Sequence, residues 1–328
     1  MEHWIKNVRI QNFKSLRDAS LECEQINIFV GKPNVGKSNL LEALSLFGIN
    51  YERILKTALR DFVRYEQTAN LFYDQDYLNE TIEVTASGIG SVKLDYLEGK
   101  FKFSLETPSK GDYKIVLSPE GNFTGGGGNP TGTSNVKYYR FPETQTFNQE
   151  NQEPTLSMPW GENLLYILQT NKAFRKEASS LFEQYGLELL LDAQANRLDL
   201  VKRRDGILIK TPFSLVADTL RRYLFHLAAI ESNRDSILLF EEPEAHNYPP
   251  FITRLANRIL GSKTNQFFVT THSPFLLNTL VEAGIKDVAV FLFLFENYET
   301  KVTRLSHEEL ASMLDYGLDI FMNQEAFV

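Results

Sequence analysis

Residues 31–38 constrain the fold of this 328-residue chain more than any other stretch. They read Gly-Lys-Pro-Asn-Val-Gly-Lys-Ser and fit the pattern G-x-x-x-x-G-K-[ST]. Residues 25–30 before them are mostly β-branched or aromatic and predict a buried strand, whereas residues 39–47 after them place apolar side chains at helical spacing. Because strand, glycine loop and helix follow one another in this order, we predict that the loop binds phosphate through backbone N–H groups at the start of the helix.

The predicted phosphate loop gives separate tasks to its last two residues. Lys37 would add a positive charge for the outer phosphates of a nucleotide, and the Ser38 hydroxyl would bind Mg²⁺. A chance glycine-rich turn between a strand and a helix is the alternative, and the flanking segments disfavour it. We therefore predict that ATP and Mg²⁺ are bound, with the nucleotide held by Gly31, Lys32, Pro33, Asn34, Val35, Gly36, Lys37, Ser38 and Asn39.

A second group of candidate residues begins where a four-residue apolar strand, residues 237–240, runs into the acids Glu241, Glu242 and Glu244. A carboxylate at the end of a buried strand beside a phosphate loop is the Walker B arrangement, in which one acid holds Mg²⁺ and the next polarises the attacking water. We assign Glu241 to the metal and Glu242 to the water. The alternative is an acidic region before the helix predicted at 250–260, where acids would favour the helix dipole.

A further strand, residues 266–270, also ends in polar residues, among them His272. In open α/β sheets ligands bind at the carboxyl ends of the strands, so His272 is predicted to reach the γ-phosphate. His246 has no such context, and we interpret it as structural or interfacial.

Composition narrows the function classes. The formal charge of −8 disfavours a globally basic nucleic-acid-binding protein, and the single cysteine, Cys23, leaves no internal disulfide and fits a reducing interior. The first residues lack the apolar core of a signal peptide, and the longest apolar run, residues 288–295, is too short to span a membrane. These features predict a cytoplasmic protein without a membrane partner.

The basic residues concentrate in a turn and on a helix face, which we interpret as solvated surface, with a DNA patch as the alternative. They are Lys202, Arg203, Arg204, Arg221 and Arg222.

The middle of the chain has patterns that predict secondary structure but no motif that indicates a functional site. Alternating apolar residues over 81–116 predict a β-meander, and residues 121–130, with four consecutive glycines, predict a mobile surface loop. Residues 163–193 show a helical period, and residues 212–230 predict one long amphipathic helix. Between these two segments an Asp-Gly pair at 205–206 would turn a hairpin.

The order of these motifs resembles that of the ABC-type ATPases of the SMC, RecF and OLD group. The matching segments are residues 10–16, the phosphate loop with its helix, residues 240–246 and residues 270–274. The resemblance implies an α/β P-loop NTPase fold: an ABC-type ATPase head with a mixed or parallel central sheet, an N-terminal antiparallel β-subdomain and an inserted lobe. By the same resemblance, the two parts of the head are residues 1–50 and 196–328, and the variable insert is residues 51–195.

The resemblance also implies roles for single residues. ATP would lie between two protomers, with Mg²⁺ held by Ser38 and with Glu241 close by. Glu242 would be the catalytic base, His272 the switch histidine, and Gln145 the Q-loop ligand of the metal. The implied assembly is a homodimer or a higher even-numbered homo-oligomer.

Two departures from the group's pattern bear on function. The signature motif that caps the partner's γ-phosphate should precede the Walker B strand, but residues 212–222 hold no glycine, and Ala217 stands about where a serine is expected. Either Ser214 or Thr219 substitutes, or ATP-driven dimer closure works differently. The metal-site acid Glu241 is an Asp in many members, and the extra methylene is compatible with binding through water.

Two functions from different classes stay open. The first is a slow ATPase that acts as a molecular switch with a partner protein in DNA maintenance or phage defence, and the presence of Glu242 and His272 favours it. The second is a nucleotide-binding scaffold with little hydrolysis, which the degenerate signature favours. The residues after His272 leave no room for the C-terminal nuclease domain of OLD proteins, so an effector would be a separate chain. A nucleoside or small-molecule kinase would need an acceptor-substrate site or a lid with arginines; the sequence displays no such cluster, and the order of its motifs disfavours this function.

Overall fold

The structure, a computed structural model, describes residues 4–49, 59–107, 112–128, 135–148, 150–284, 286–317 and 319–324. Contacts divide the chain into two compact units. The first comprises Met1–Tyr138, Asp235–Glu242 and Gln266–Val328, and the second comprises Tyr139–Arg234 and Pro243–Asn265. The sequence-based division at residues 50 and 195 stays a prediction.

The described residues form strands and helices, which are numbered separately in chain order. The strands are β1 (Asn7–Phe13), β2 (Leu16–Glu22), β3 (Ile26–Gly31), β4 (Ile82–Ala86), β5 (Gly90–Leu97), β6 (Lys100–Glu106), β7 (Tyr113–Leu117), β8 (Phe123–Gly128), β9 (Val136–Tyr139), β10 (Glu188–Asp192), β11 (Arg197–Arg204), β12 (Ile207–Pro212), β13 (Ile237–Glu241), β14 (Gln266–Thr270), β15 (Val288–Glu296) and β16 (Glu299–Arg304). The helices are α1 (Lys37–Ser45), α2 (Leu164–Thr170), α3 (Lys172–Glu183), α4 (Asp218–Ser232), α5 (Pro249–Gly261), α6 (Pro274–Gly284) and α7 (His307–Tyr316). Short 3-10 helices add Leu46–Gly48, Leu59–Asp61, Thr68–Leu71, Tyr73–Gln75 and Phe213–Leu215.

A six-stranded sheet in the order β16-β15-β3-β14-β13-β9 carries the phosphate loop. Strands β15, β3, β14 and β13 run parallel to one another, and β16 runs antiparallel to β15. Every residue of β3 and β14 is buried, as expected of inner parallel strands covered on both faces. This mixed α/β architecture is that of a P-loop NTPase, and it confirms the predicted fold class.

The second sheet of the first unit is antiparallel, in the order β2-β1-β4-β5-β6-β7-β8. The pairing of β1 with β4 joins the N-terminal hairpin to the meander predicted over 81–116. Alternate residues of β4, β5, β6 and β7 are buried, which is the pattern of strands with one face packed on a core.

The prediction of a mobile loop over 121–130 is wrong for its strand residues. Phe123–Gly128 forms β8, which pairs with β7 at the edge of the antiparallel sheet. The N–H and C=O groups of glycine can pair with a neighbouring strand like those of other residues. A Cβ added to Gly126 would lie 2.3 Å from the Lys114 carbonyl oxygen. A residue without a side chain therefore suits this close approach between strands. Residues 129 and 130 lie outside the described part of the chain.

The second unit combines α2 to α5 with the three-stranded sheet β10-β11-β12. The predicted Asp-Gly hairpin is confirmed, with φ of 51° at Asp205 and 78° at Gly206, as a type I′ turn requires. Two boundaries differ from the prediction. Residues 188–192 form β10 rather than helix, because they pair with β11, and the helix predicted from residue 212 begins only at Asp218.

No helix in the described ranges is long and apolar enough to cross a membrane.

Candidate nucleotide-binding site

The phosphate loop between β3 and α1 depends on backbone conformations that favour glycine. The φ angle is 149° at Gly31 and 95° at Gly36. A Cβ on Gly31 would lie 2.4 Å from the Phe293 carbonyl oxygen, and a Cβ on Gly36 would lie 2.2 Å from Thr300 Oγ1. Both glycines of the motif are thus required by close neighbours as well as by φ.

Two hydroxyl side chains from distant parts of the sequence support the loop. Thr300 Oγ1 donates to the Val35 carbonyl at 2.9 Å and lies 2.7 Å from Ser15 Oγ. Asn39, in the first turn of α1, donates from Nδ2 to Ser15 Oγ at 2.8 Å. The turn between β1 and β2 and the strand β16 therefore fix the loop from outside, and the sequence motif revealed neither.

Replacing Gly36 with Ala is expected to destabilise the fold by about 3 kcal/mol, because a left-handed φ and a steric overlap act together. The matched control is Gly99→Ala, since Gly99 also has a positive φ of 74° but has nothing within 4 Å of the added Cβ. The control should lose only about 1 kcal/mol. Urea unfolding of both variants measures the difference, and equal losses would show that Thr300 and Ser15 do not restrain the loop.

Lys37, the first residue of α1, lies inside the loop. Its Nζ donates to the carbonyl oxygens of Gly31 at 2.8 Å and Lys32 at 2.7 Å, and the residue is 5% exposed. Burial lowers the pKa of Lys37 to about 8, partly offset by the Glu242 carboxylate, which favours the charged form. The ammonium group is therefore positioned among the backbone groups that would surround a phosphate.

The other predicted loop residues occupy three kinds of environment. Lys32, Pro33 and Asn34 are exposed, Val35 is buried, and Ser38 is half-buried. Ser38 follows Lys37 in the first turn of α1, where helix N–H groups favour an anion.

Glu242 and His272 follow the parallel neighbours β13 and β14, so they lie at one edge of the sheet. His272 Nε2 is 3.6 Å from Glu242 Oε1. Burial, and then the Lys37 cation, lower the pKa of His272, while the Glu242 carboxylate raises it; the net shift is downward and favours the neutral imidazole. Lys37, Glu242 and His272, which the sequence placed in three separate motifs, thus influence one another electrostatically.

The backbone holds Glu242 in an unusual conformation. Its φ is 43°, in the left-handed region that non-glycine residues rarely adopt. Its N–H donates to both the carbonyl and the Oγ1 of Thr270, each at 3.1 Å. Strained backbone of this kind persists where neighbouring groups over-determine it, which is common at functional sites.

Glu241 belongs to a network of charged side chains that sequence reasoning missed. Its Oε1 accepts a hydrogen bond from Arg64 NH2 at 2.9 Å, and its Oε2 accepts one from Tyr138 Oη at 2.9 Å. Arg64 Nε also donates to Glu42 Oε1 at 2.6 Å, and Lys14 pairs with the other oxygen of Glu42. We call Lys14, Glu42, Arg64, Glu241 and Tyr138 the charge network. The one signal in the sequence was Glu42, an acid among the apolar residues of α1.

The oxygen donors of the site suit Mg²⁺. The Ser38 hydroxyl and the Glu241 carboxylate are hard oxygen ligands, and Mg²⁺ is typically bound by one or two carboxylates together with substrate phosphates. Among the residues that the structure describes, there is no cluster of three or more His, Cys, Asp or Glu side chains that could hold a metal. The chemistry of the Ser38 and Glu241 oxygens fits a metal whose other ligands come from a nucleotide.

Three further predicted residues lie in the second unit. Gln145 donates from Nε2 to the carbonyls of Trp160 at 3.3 Å and Gly161 at 3.4 Å, and its role as a metal ligand stays a prediction. His246 is exposed, and its carbonyl accepts a hydrogen bond from Thr219 Oγ1 at 2.8 Å. In the region of the degenerate signature, Ala217 directly precedes α4.

A glycine loop before α1, with acids and a histidine at the carboxyl edge of a parallel sheet, is the arrangement of a P-loop NTPase fold. Comparison with known proteins supports this assignment. Residues 4–84 match a family model described as an AAA ATPase domain. Residues 127–278 match an AAA domain model whose description names the AbiEii toxin and type IV toxin–antitoxin systems.

The fold is shared with solved SMC heads. An SMC head bound to the C-terminal winged-helix domain of ScpA is 15% identical, with a TM-score of 0.53 over 93% of this chain and 99% of that one. The Smc head of Pyrococcus furiosus, bound to the C-terminal domain of ScpA, is 13% identical, with a TM-score of 0.51 over 96% of this chain and 100% of that one. An uncharacterised protein of Methanocaldococcus jannaschii is 50% identical over 44 residues, a match that spans 13% of this chain and only 20% of the relative. The chain thus shares the fold of these SMC heads, and two of its segments match AAA ATPase domain models.

Proposed function

We propose that this protein is a slow ATPase that uses ATP and Mg²⁺ as a molecular switch. The observation that carries the proposal is the convergence of Lys37, Glu242 and His272 at one sheet edge, with Glu242 3.6 Å from His272. A protein that only held nucleotide would need the lysine but neither a base nor a neutral histidine beside it. The degenerate signature over 212–222 still favours the second candidate, a nucleotide-binding scaffold with little hydrolysis.

In the proposed reaction each side chain would have its own task. The Lys37 ammonium would replace its hydrogen bonds to the two loop carbonyls with hydrogen bonds to oxygens of the outer phosphates. It would therefore have acceptors both before and after the nucleotide binds. Glu242 would accept a proton from the attacking water, and neutral His272 would donate a hydrogen bond to the γ-phosphate. Mg²⁺, when bound by Ser38 and Glu241, would neutralise phosphate charge.

The proposed partners rest on likeness to the solved SMC heads. SMC heads have been solved in complex with domains of ScpA, and we propose that this chain likewise acts with a separate protein, either in DNA maintenance or in phage defence. We propose a homodimer or a higher even-numbered homo-oligomer and a cytoplasmic location. The net charge of −8 gives DNA binding no support. Kinship with OLD proteins in particular stays a prediction.

A coupled ATPase assay on the purified chain tests the proposal. We expect slow phosphate release that requires Mg²⁺ and is saturable in ATP, together with a larger species on size exclusion when ATP is present. ATP binding without Mg²⁺-dependent turnover would favour the scaffold. If ATP does not bind, both candidates fail.

A further inference from the structure

Arg64 joins two carboxylates that belong to different parts of the site. Its Nε donates to Glu42 on α1, at 2.6 Å, and its NH2 donates to Glu241 at the end of β13, at 2.9 Å. The Arg64 side chain is half exposed, that of Glu42 is fully buried, and that of Glu241 is 15% exposed. A guanidinium with separate nitrogens for two acceptors is suited to this bridge, whereas a lysine ammonium is a single point charge.

The two ends of the bridge differ in how firmly they are held. Glu42 is fully enclosed and also pairs with Lys14, so the cost of leaving it unpaired would be large. Glu241 is nearer to solvent and has a second donor in Tyr138, so losing one hydrogen bond costs it less. The Arg64–Glu241 contact is therefore the end of the bridge that opens more easily.

Glu241 Oε1 accepts its hydrogen bond from a cation, the Arg64 guanidinium. A metal ion bound there would draw on the oxygen that accepts from Arg64, and it would bring a second positive charge beside the guanidinium. Like charges at such short separation disfavour each other. We propose that Arg64 is the resident counter-ion of Glu241, tethered through Glu42, and that Mg²⁺ binds only when Arg64 leaves Glu241. This inference rests on the proposed function, since it requires Glu241 to be the metal-site acid.

The role sets an order of events at the site. Without nucleotide phosphates to compensate, Mg²⁺ must replace a cation that is already held, so the free metal binds weakly. Phosphates in the loop add negative charge and shift the balance toward the metal. Arg64 is thus a positioning residue that makes metal binding depend on nucleotide.

The test measures metal affinity directly. The purified 328-residue chain is titrated with Mn²⁺, with and without a non-hydrolysable ATP analogue. Free Mn²⁺ is measured by its electron paramagnetic resonance signal. Arg64→Gln is expected to bind Mn²⁺ about 3- to 30-fold more tightly than wild type, since one neighbouring cation is removed. The gain should be larger without the analogue than with it.

Arg60→Gln is the matched control. Arg60 lies four residues away and donates to the backbone carbonyls of Glu66 and Glu120 rather than to a carboxylate, so its loss should change Mn²⁺ affinity less than twofold. Arg64→Lys retains the charge that Glu42 needs, which guards against misfolding. Its single ammonium should remain at Glu42, so this variant should also bind Mn²⁺ more tightly than wild type.

The outcomes separate this inference from the proposed function. Normal binding of the analogue with unchanged or weaker Mn²⁺ affinity in both Arg64 variants would overturn the role of Arg64 alone. Failure of the wild-type chain to bind the analogue would overturn the proposed function, and the role of Arg64 with it.

Discussion

Replacing Glu242 with Gln is expected to slow ATP hydrolysis by about 10²–10⁴-fold, the usual effect of removing a general base. The amide keeps the shape of the side chain, and the backbone bonds to Thr270 that hold residue 242 do not involve it. ATP affinity should therefore stay unchanged or rise. Because trapped ATP favours whichever assembly the nucleotide stabilises, size exclusion with ATP should show more of the larger species than for wild type. Steady-state turnover and calorimetric ATP binding are the two measurements.

Glu241→Gln is the informative companion to this variant. It removes the charge that would bind the metal, so it should reduce Mg²⁺-dependent ATP binding as well as turnover. The two neighbouring acids can therefore be told apart by affinity alone. A Glu242→Gln protein that hydrolyses ATP at the wild-type rate would refute the catalytic assignment and leave the scaffold as the better proposal.

Replacing Lys37 with Ala is expected to weaken ATP binding by about 10²-fold, because a charged hydrogen-bond donor to phosphate contributes about 1.5–3 kcal/mol. The change should cost the fold little, since the buried ammonium has a pKa lowered to about 8 and is itself costly to keep charged. Fluorescent-nucleotide titration measures affinity, and urea unfolding measures stability.

Lys32→Ala is the control for Lys37, because the Lys32 side chain is exposed and its predicted contact with phosphate is through the loop backbone, which the substitution keeps. Its loss should alter affinity only a few-fold. An ATP affinity of Lys37→Ala within a few-fold of wild type would contradict the phosphate-loop assignment.

The sequence predicted the parts of the site that depend on local order. A strand, a glycine loop and a helix must be contiguous to hold phosphate. The motif at residues 31–38 could therefore be recognised from the order of residues alone. The acids after β13 and the histidine after β14 were predictable for a related reason: parallel strands bring their carboxyl ends to one edge.

The parts that the sequence did not predict depend on partners far away in the chain. Ser15 and Thr300 lie 285 positions apart, and no periodicity links them. Arg64 lies in an irregular segment, so nothing local pointed to its bridge between Glu42 and Glu241. The glycines of β8 were misjudged for another reason. Propensity describes an isolated segment, whereas pairing with β7 supplied the hydrogen bonds that order these residues.

The position of β3 has a consequence for how the protein is made. Ile26 on β3 pairs with Phe267 of β14 on one side and with Val288 of β15 on the other. During synthesis the phosphate loop thus leaves the ribosome long before the strands that flank it, and closing so long a segment makes folding slow. The loop is also held by the hydrogen bond from Thr300 to the Val35 carbonyl, so nascent chains that end before residue 300 should not bind nucleotide. ATP, by binding only the finished sheet, would then favour completed molecules over partly folded ones.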